Sequence, residues 1–510
     1  MQFSAGVWTD VTQDVLTKNT FGWDKGMPDN TPNDRVASAG TFNLSLDNSA
    51  SNSAGIAGYY SPEKAVCRTG FAVGIPVRIV FTLGDITQTK FYGCIIKDGI
   101  KPSPRIYGSR LTEVTVGDWL EQASNYEIEL AQYTTSQRAD QGLTTIVNAM
   151  PIKPLSTQFD AGVDTFAYIF DFATPETKAM TEVERLVRSE YGFAYVTPTK
   201  NYDEVFTFEN RTHRVGATVA QVDSSTQEDL MTEDNNALLT EDNVEIVIAD
   251  FANATFSDME VDTNYEFNKN FYNYCKFRVY PRQLGGTVIV LYTLQSPITI
   301  PAGGTVTDTR GTYRDPTSAA TVGGYSMVTP AGTVDYSFNT KSDGTGTDVT
   351  NKLTVNASYG VTEVQYPTLI NNMTGGTIGY VTKLNARGMA IYTLDPVDKV
   401  QQSTSSQNTY GKYSLSVDMP YQNVQETAAA LATSELAAHN IQQSELSSFT
   451  FWANRNLQIC NNFLELKIGD LIYMTSSQLK DTYYACFIDG EKVEIINKVG
   501  IKVTYRLRRQ

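Results

Sequence analysis

"LKIGDLIYMTSSQLKDTYYACFIDGEKVEIINKV" (Leu466–Val499) runs into "GIKVTYRLRRQ" (Gly500–Gln510) at the end of the chain. In the closing stretch Ile501, Val503, Tyr505 and Leu507 alternate with Lys502, Thr504, Arg506 and Arg508, the period of a half-buried strand with one wet face. The same landmarks occur in order in "FAVGIPVRIVFTLGDITQTKFYGCIIKDGIKPSPRIYGSRLTEVTV" (Phe71–Val116). Gly74 answers Gly469, Tyr92-x-Cys94 answers Tyr484-x-Cys486, Asp98-Gly99 answers Asp489-Gly490, and Gly108 answers Gly500. The Asp-Gly pairs predict hairpin turns, because glycine takes a positive φ at little cost. The recurrence predicts two related small antiparallel β-barrels, one at each end of the chain. The alternative is a chance match of short strand-turn patterns.

Between the two ends the pattern changes twice. "TTSQRADQGLTTIVNAM" places Leu143, Ile146, Val147 and Met150 on one helical face. "ATPETKAMTEVERLVRSEYGFAYV" offers Thr174 as an N-cap and Pro175 at the first helical position, with Val183, Leu186 and Val187 on one stripe. A strand pair follows, "FAYVTPTKNYDEVFTFENR". Residues 285–395 read as short strands split by Gly, Pro and Asp. A last helix, "NVQETAAALATSELAAHN", carries Asn423 and Glu426 at capping-box spacing. The expected fold is mainly β with α+β character: a first barrel over 1–135, a middle α+β domain over 136–284, an inserted β-sandwich over 285–395, and a helix plus second barrel over 396–510.

The chain has 510 residues, too many for one core. Forty Lys+Arg against 56 Asp+Glu leave a formal charge of −16. That surface repels phosphate, so specific nucleic-acid binding is not expected, although the same charge suits a channel through which nucleic acid slides. The apolar runs, such as Thr287–Tyr292, are strand-sized, so no stable membrane insertion is expected. "MQFSAGVWTD" does not read as a secretory signal. Cys67, Cys94, Cys275, Cys460 and Cys486 are odd in number and widely spaced, and read as reduced, buried small hydrophobes of a protein made in a cytoplasm.

Chemistry is sparse. The two histidines, His213 and His439, lie in unrelated contexts without zinc-ligand spacing, and His439 near Cys460 is the one conceivable nucleophile–base pair. No phosphate-binding loop or nucleophile elbow occurs. The densest carboxylates, Glu233, Asp234, Glu241 and Asp242, form an eight-residue duplication that reads as a solvated acidic loop, with weak cation binding or a catalytic pair as alternatives. Asp343 and Asp348 in "KSDGTGTD" lack the ligand spacing of an EF-hand. The aromatic-rich Tyr265–Arg282 could stack on sugars or bases, but its near-alternation more simply gives a strand packed on a core or subunit interface. No catalytic residue, metal site or cofactor is therefore expected.

"RVASAGTFNLSLDNSASNSAGIAGYYSP" (Arg35–Pro62) opens as a strand and breaks into a polar loop, Asn48–Gly58, too poor in apolar side chains to fold on its own core. This stretch, with "WTDVTQDV" (Trp8–Val15), resembles the opening of tailed-bacteriophage minor tail proteins of the tail-tip or baseplate hub kind. "GIPVRIV", "SEYGFAYV", "FENRTHR" and "FSDMEVDTNYEFNKNFYNYCKFRVYPR" follow in the same order. So do "ITIPAGGT", "VDYSFNTKSDGTGTDVT", "YVTKLNARGMAIY" and the closing "LELKIGDLIYMT", "FIDGEKVEI" and "KVTYRL".

The resemblance implies a structural virion protein at the tail tip: a homotrimer whose paired barrels make a pseudo-sixfold ring. Such a ring joins the tail tube to a central fibre or spike and lets the genome pass. Its implied partners are a distal tail or tail tube protein, a central fibre or spike protein and the tape measure protein. On that reading the Asn48–Gly58 loop is an arm ordered by a neighbour, and the acidic loop Asp229–Asn243 faces the lumen or a partner. A receptor- or glycan-binding tail-tip protein is the alternative, favoured by an exposed aromatic trio on residues 285–395. A tail-associated cell-wall hydrolase is the remaining one.

Overall fold

A computed structural model describes residues 1–4, 6–16, 21–84, 86–103, 110–128, 134–170, 177–214, 228–229, 247–248, 254–257, 261–360, 362–374, 376–475, 484–496 and 500–510. The fold is mainly β, in several antiparallel sheets. Its centre is a duplicated five-strand unit. The first copy comprises Gly22–Gly26, Ser38–Asp47, Pro76–Leu83, Ile86–Ser103 and Leu111–Gly117. The second comprises Asp262–Phe267, Ser444–Trp452, Leu471–Thr475, Tyr484–Ile496 and Gly500–Arg509. In each, the last three strands form an antiparallel meander, the second strand pairs with the fifth, and the first pairs with the second. The likeness reaches single hydrogen bonds. Gly74 and Gly469 both take positive φ, 83° and 96°. Their N–H groups donate to Ile95 O and Ile488 O, each at 2.8 Å.

Two details differ from the expectation. Asp98-Gly99 and Asp489-Gly490 are not hairpin turns. Both lie inside long strands, at breaks in register between Ile95 and Ile100 and between Ile488 and Gly490. Glycine is tolerated at a bulge for the same conformational reason as at a turn, so the dipeptide alone does not distinguish them. Cys94 and Cys486 fall on corresponding strands but not at corresponding positions. Cys94 directly precedes Ile95, whereas Cys486 lies two residues before Ile488, and a one-residue slip turns a side chain to the other face. Cys486 accordingly sits in the core and Cys94 is half-buried.

The expected pair of barrels is also reorganised. Gly22–Gly26 pairs on one edge with Ser38–Asp47 and on the other with Tyr484–Ile496 of the second unit. An eleven-stranded sheet results, its pairing an open path, and no sheet closes among the described residues. The strand that would seal the first unit is shared with the second instead. One core runs through both, with Trp23, Phe42, Leu46, Phe91 and Val116 from the first and Phe449, Phe451, Ile488 and Tyr505 from the second.

A second core holds the helices Ala139–Ala149 and Ala179–Glu190, with Leu143, Ile146, Val147, Met150, Val183, Leu186 and Val187 all buried. The second helix begins after Lys178, later than the sequence suggests; Thr174 and Pro175 lie outside the described residues. The aromatic stretch yields Tyr274–Val279, flanked by Val397–Gln402 and Ser414–Met419 and covered by the helix Gln425–His439. That helix is capped by Val424 with no side-chain bond. Asn423 instead accepts from Ala167 N at 3.0 Å, so the capping box does not form. Two sheets built from Arg282–Thr293 to Gly379–Thr393 enclose a further core around Tyr313, Phe338, Tyr366 and Leu384.

All of Lys269–Gln442 is threaded between two neighbouring strands of the large sheet. Asn268 N donates to Gln443 O at 2.9 Å, and Gln443 N to Asn268 Oδ1 at 3.1 Å. Holding the two ends together lets a long insertion leave the sheet undisturbed.

Gly22 tests the joint. A Cβ there would lie 2.1 Å from Val493 O, which is backbone and cannot swing aside. Gly22→Ala should cost about 3 kcal/mol or more in chemical denaturation. Gly344→Ala, at φ +78° with open space around it, should cost only about 1 kcal/mol.

Candidate functional site at the joint of the two units

The joint is charged and dry. Glu491 lies opposite Lys25 in the strand pairing, 1% exposed. Its Oε1 accepts from Trp23 Nε1 at 2.8 Å and meets Lys25 Nζ at 3.3 Å, while its Oε2 meets Lys90 Nζ at 3.3 Å. Lys25 Nζ also donates to Lys90 O, and Lys90 Nζ to Phe463 O and Leu466 O, all at 2.7 Å. Thus a strand of each unit and the helix Leu457–Glu465 converge on one carboxylate. Burial works against its charge, but Lys25, Lys90 and the Trp23 indole outweigh burial and hold the carboxyl below its ordinary value. For Lys25, burial and the neighbouring Lys90 charge win over Glu491, and the ammonium is pulled down.

A second network ties in the middle region. Asp489, fully buried, accepts from Arg214 Nη1 and from Arg508 Nε, both at 2.6 Å. Arg214 Nε donates to Glu209 Oε2 at 2.6 Å, and Glu209 Oε1 accepts from Tyr195 OH at 2.5 Å. Arg508 continues to the carbonyls of Thr31 at 2.8 Å and Asp34 at 2.6 Å. The guanidinium carbons of Arg214 and Arg508 lie 3.9 and 5.0 Å from the centre of the Phe193 ring. These forked donors satisfy carboxylate and carbonyl oxygens at once, which makes burying charge tolerable.

The arrangement binds and orients strands. His213 Nδ1 meets Asp160 Oδ2 at 2.6 Å, half of a hydrolytic triad, but Nε2 faces the Glu209 carboxylate at 3.8 Å. Burial opposes the imidazolium, yet Asp160 and Glu209 prevail and hold its pKa above the ordinary value. His439 meets Glu435 at 3.2 Å, on its own helix, and packs edge-on to Tyr272. The structure records no contact from it to Cys460, which sits half-buried on the helix Leu457–Glu465. Asp343 and Asp348 each accept from the backbone and hydroxyl two residues on, Thr345 and Thr350, as turn formers. Glu233, Asp234, Glu241 and Asp242 lie outside the described residues, as does nearly all of the Asp229–Asn243 loop. Among the described residues no three His, Cys, Asp or Glu side chains gather as a metal site. No disulfide joins the five cysteines, all of which are described; Cys275 and Cys486 are buried and the other three half-buried.

No protein-family model matches the chain, and no curated protein matches it significantly. Solved structures do align over nearly its full length. A tail protein from Neisseria meningitidis MC58 covers 96% of this chain and 92% of its own, at 8% identity and a TM-score of 0.42. The 43 kDa tail protein of prophage MuSo2 from Shewanella oneidensis covers 96% and 94%, at 9% identity and 0.41. A prophage tail protein from Listeria monocytogenes EGD-e covers 97% and 89%, at 8% identity and 0.36.

The Asn48–Gly58 loop overturns the expectation that it lacks order of its own. Asn52 Nδ2 donates to Ser49 O at 2.7 Å and Ile56 O at 2.8 Å, while Oδ1 accepts from Ala54 N and Ile56 N. Buried Asp14 accepts from Ser53 N at 2.6 Å, Ser53 Oγ at 2.7 Å and the Tyr60 hydroxyl. Short polar side chains order the loop in place of apolar ones. Asp14→Ala should leave these donors unpaired, costing about 2–3 kcal/mol and making the loop the first site of limited proteolysis.

Sequence reading missed Lys25, Lys90, Glu209, Arg214, Glu491 and Asp489 as a group. The available signal was a lysine or carboxylate at inward strand positions, as in "GWDKG" and "DGEKVEI". Glu491→Gln should leave two buried ammonium groups without their anion and cost about 3–5 kcal/mol, against about 0.5 kcal/mol for Glu494→Gln, whose half-exposed carboxylate pairs with Lys492 and Lys502 at the surface.

A pH effect follows from Asp118 and Glu204, which meet at the start of the helix Trp119–Asn125. Burial pushes Asp118 up to about 7, against the N–H groups of Gly40 and Leu120 and the charge of Lys25. Burial and then the Asp118 charge push Glu204 up to about 8. Carboxyls raised on folding favour the folded state at low pH and withdraw that support as pH rises through 7 to 8. The protein should therefore lose stability from about pH 4, where these carboxyls titrate in the unfolded chain, up to about pH 8, and level off above it, and Glu204→Gln should recover on the order of 2 kcal/mol at pH 9, read from denaturation midpoints.

Proposed function

We propose that the chain is a structural protein of a phage tail, and that it builds the hub or tail-tip ring. The observation that carries this reading is the duplication: two like units joined edge to edge in one chain by the Gly22–Gly26 strand. Three such chains supply six like units, so a homotrimer would present pseudo-sixfold symmetry to a tail tube and threefold symmetry to a central fibre or spike. The order of motifs from Trp8 to Leu507 supports the same assignment. Its partners on this reading are a distal tail or tail tube protein, the fibre or spike and the tape measure protein. Its place is the virion tail tip after synthesis in the host cytoplasm. The net charge of −16 suits a lumen through which DNA passes without adhering. We take the domain division proposed from the sequence with two changes: the unit at 396–510 also draws on Ala254–Ser257 and Asp262–Phe267, and its Val397–His439 part groups with Tyr274–Val279 instead.

On this reading no catalytic, cofactor or metal site is expected, and the charges buried at the joint serve to pair with one another. No described helix is long and apolar enough to cross a membrane. The glycan-binding alternative has one feature in its favour, an open groove of about 900 Å³ lined by Tyr292, Arg310, Arg314 and Asp315. Against it, the exposed large apolar side chains recorded on residues 285–395 are Val288, Val334, Ile378 and Leu394, not an aromatic trio.

Electron cryomicroscopy of the purified virion tests the proposal. The expected result is three copies at the distal end of the tail tube. Absence from the tail, or a copy number that is not a multiple of three, would overturn it. Incubating the purified chain with peptidoglycan and host polysaccharide should release no fragments.

A further inference from the structure

We infer that the open groove on the inserted region 285–395 binds an acidic saccharide, its negative group on Arg314 and its hydroxyls on Tyr292, Thr309 and Thr312. This goes beyond the tail-hub reading and stands whether or not the chain belongs to a tail.

The insert is built of two sheets. Arg282–Thr293 and Gly379–Thr393 belong to one, and Thr305–Thr312, Glu363–Asn371 and Leu353–Tyr359 make the other. The groove opens where the end of Arg282–Thr293 meets the end of Thr305–Thr312, and the segments 294–298 and 314–319 complete its lining. Its volume of about 900 Å³ stands at the upper end of ligand-pocket volumes, roughly 300–1,000 Å³. A Cβ on Gly311 would lie 2.1 Å from Cε2 of the Tyr292 ring, so the bare backbone there lets the ring bridge the two sheets. Arg314 N donates to Leu291 O at 2.7 Å, which fixes the backbone that carries the guanidinium.

The groove is marked by polar groups that the fold leaves unused. Exposed Arg314 donates from Nη1 to Ala319 O at 3.1 Å, and no described carboxylate pairs with it. Among the described residues nothing pairs with its Nε or Nη2, or with the hydroxyls of Tyr292, Thr309 and Thr312. The neighbouring carboxylates are already engaged. Asp315 is buried and accepts from Thr317 N at 2.8 Å, Ser318 N at 2.7 Å and the Tyr392 hydroxyl at 2.8 Å. Asp308 accepts from Arg310 Nε at 2.9 Å and from Gln365 Nε2 at 2.6 Å. A guanidinium without an ion pair, set beside free hydroxyls, suits an anion that itself carries hydroxyls.

Charge over the whole chain favours the same place. Residues 285–395 carry six Lys or Arg against seven Asp or Glu, a net charge of −1 in a chain of −16. An anion repelled by the rest of the molecule meets far less repulsion at the insert. The absence of an exposed aromatic trio removes the stacking platform that a neutral sugar needs, so hydrogen bonds and charge set the specificity.

Equilibrium dialysis of the full chain tests this with three probes of like length: an oligogalacturonate, a phosphodiester-linked oligosaccharide and a neutral malto-oligosaccharide. At least one anionic probe should bind at least ~10-fold more tightly than the neutral one, and the better of the two names carboxylate or phosphate as the recognised group. Arg314→Ala, at an exposed position with one backbone bond to lose, should weaken that binding by at least ~10-fold, and Tyr292→Phe, which removes the hydroxyl and keeps the ring, by about 3-fold. Lys352→Ala, on an exposed side chain outside the groove, should leave it unchanged. Retention of no probe at millimolar concentration would overturn the assignment. So would equal retention of the neutral and anionic probes, or anionic binding that Arg314→Ala leaves intact. Binding by a chain absent from the virion tail would keep the groove and sink the tail reading; a chain seated in the tail that retains no probe would do the reverse.

Discussion

The double pairing of Gly22–Gly26 is the constraint on which the remaining architecture depends. A five-residue strand with a neighbour on each side fixes the relative position of segments nearly the whole chain length apart. It can do so only because its ends are glycines. Side chains at Gly22 or Gly26 would collide with Val493 O or Asp489 O. Between those ends, Trp23 and Lys25 both reach Glu491, so the strand is held by backbone ladder and by charge together.

Buried charge of this kind contributes little net stability when intact, since desolvation offsets most of the attraction. Its consequence is specificity. A register slip of one residue would turn Lys25 and Glu491 to opposite faces and leave each charge without its partner in a dry interior. The Arg214–Asp489–Arg508 network extends the same logic to the middle region, because one carboxylate is satisfied only when the Arg214 and Arg508 segments are in place. The joint therefore acts as a check that distant parts of the chain have come together correctly.

Long insertions are compatible with this because they leave and return at one point. Asn268, at φ 59°, turns the chain out of the sheet and bonds back to Gln443. The intervening elements have cores of their own, around Phe277 and Val417 and around Tyr366 and Leu384. The energetics of the large sheet and of the inserted parts are thus largely separable, and groove-bearing surfaces can sit on the insert without altering the joint.

What the sequence by itself determined was local and periodic. Alternation at Ile501–Arg508 specified a strand, the stripe at Leu143–Met150 a helix, and the recurring Gly and Asp-Gly landmarks a duplicated unit, although the Tyr-x-Cys match was out of register by one residue. These follow from side-chain spacing along a few turns or pleats, which a chain carries without reference to anything distant. Tertiary structure alone decided that the two units share one sheet rather than closing as separate barrels. It decided that Asp-Gly marks bulges, that Asn423 serves a distant strand, and that Asp14 and Asn52 order a loop without apolar residues. Each of these turns on which edge or donor is nearest in space. Lys25 and Glu491 are separated by most of the chain, and no local pattern encodes that their charges cancel. Only the folded sheet, by excluding water around both, makes one residue the condition for burying the other.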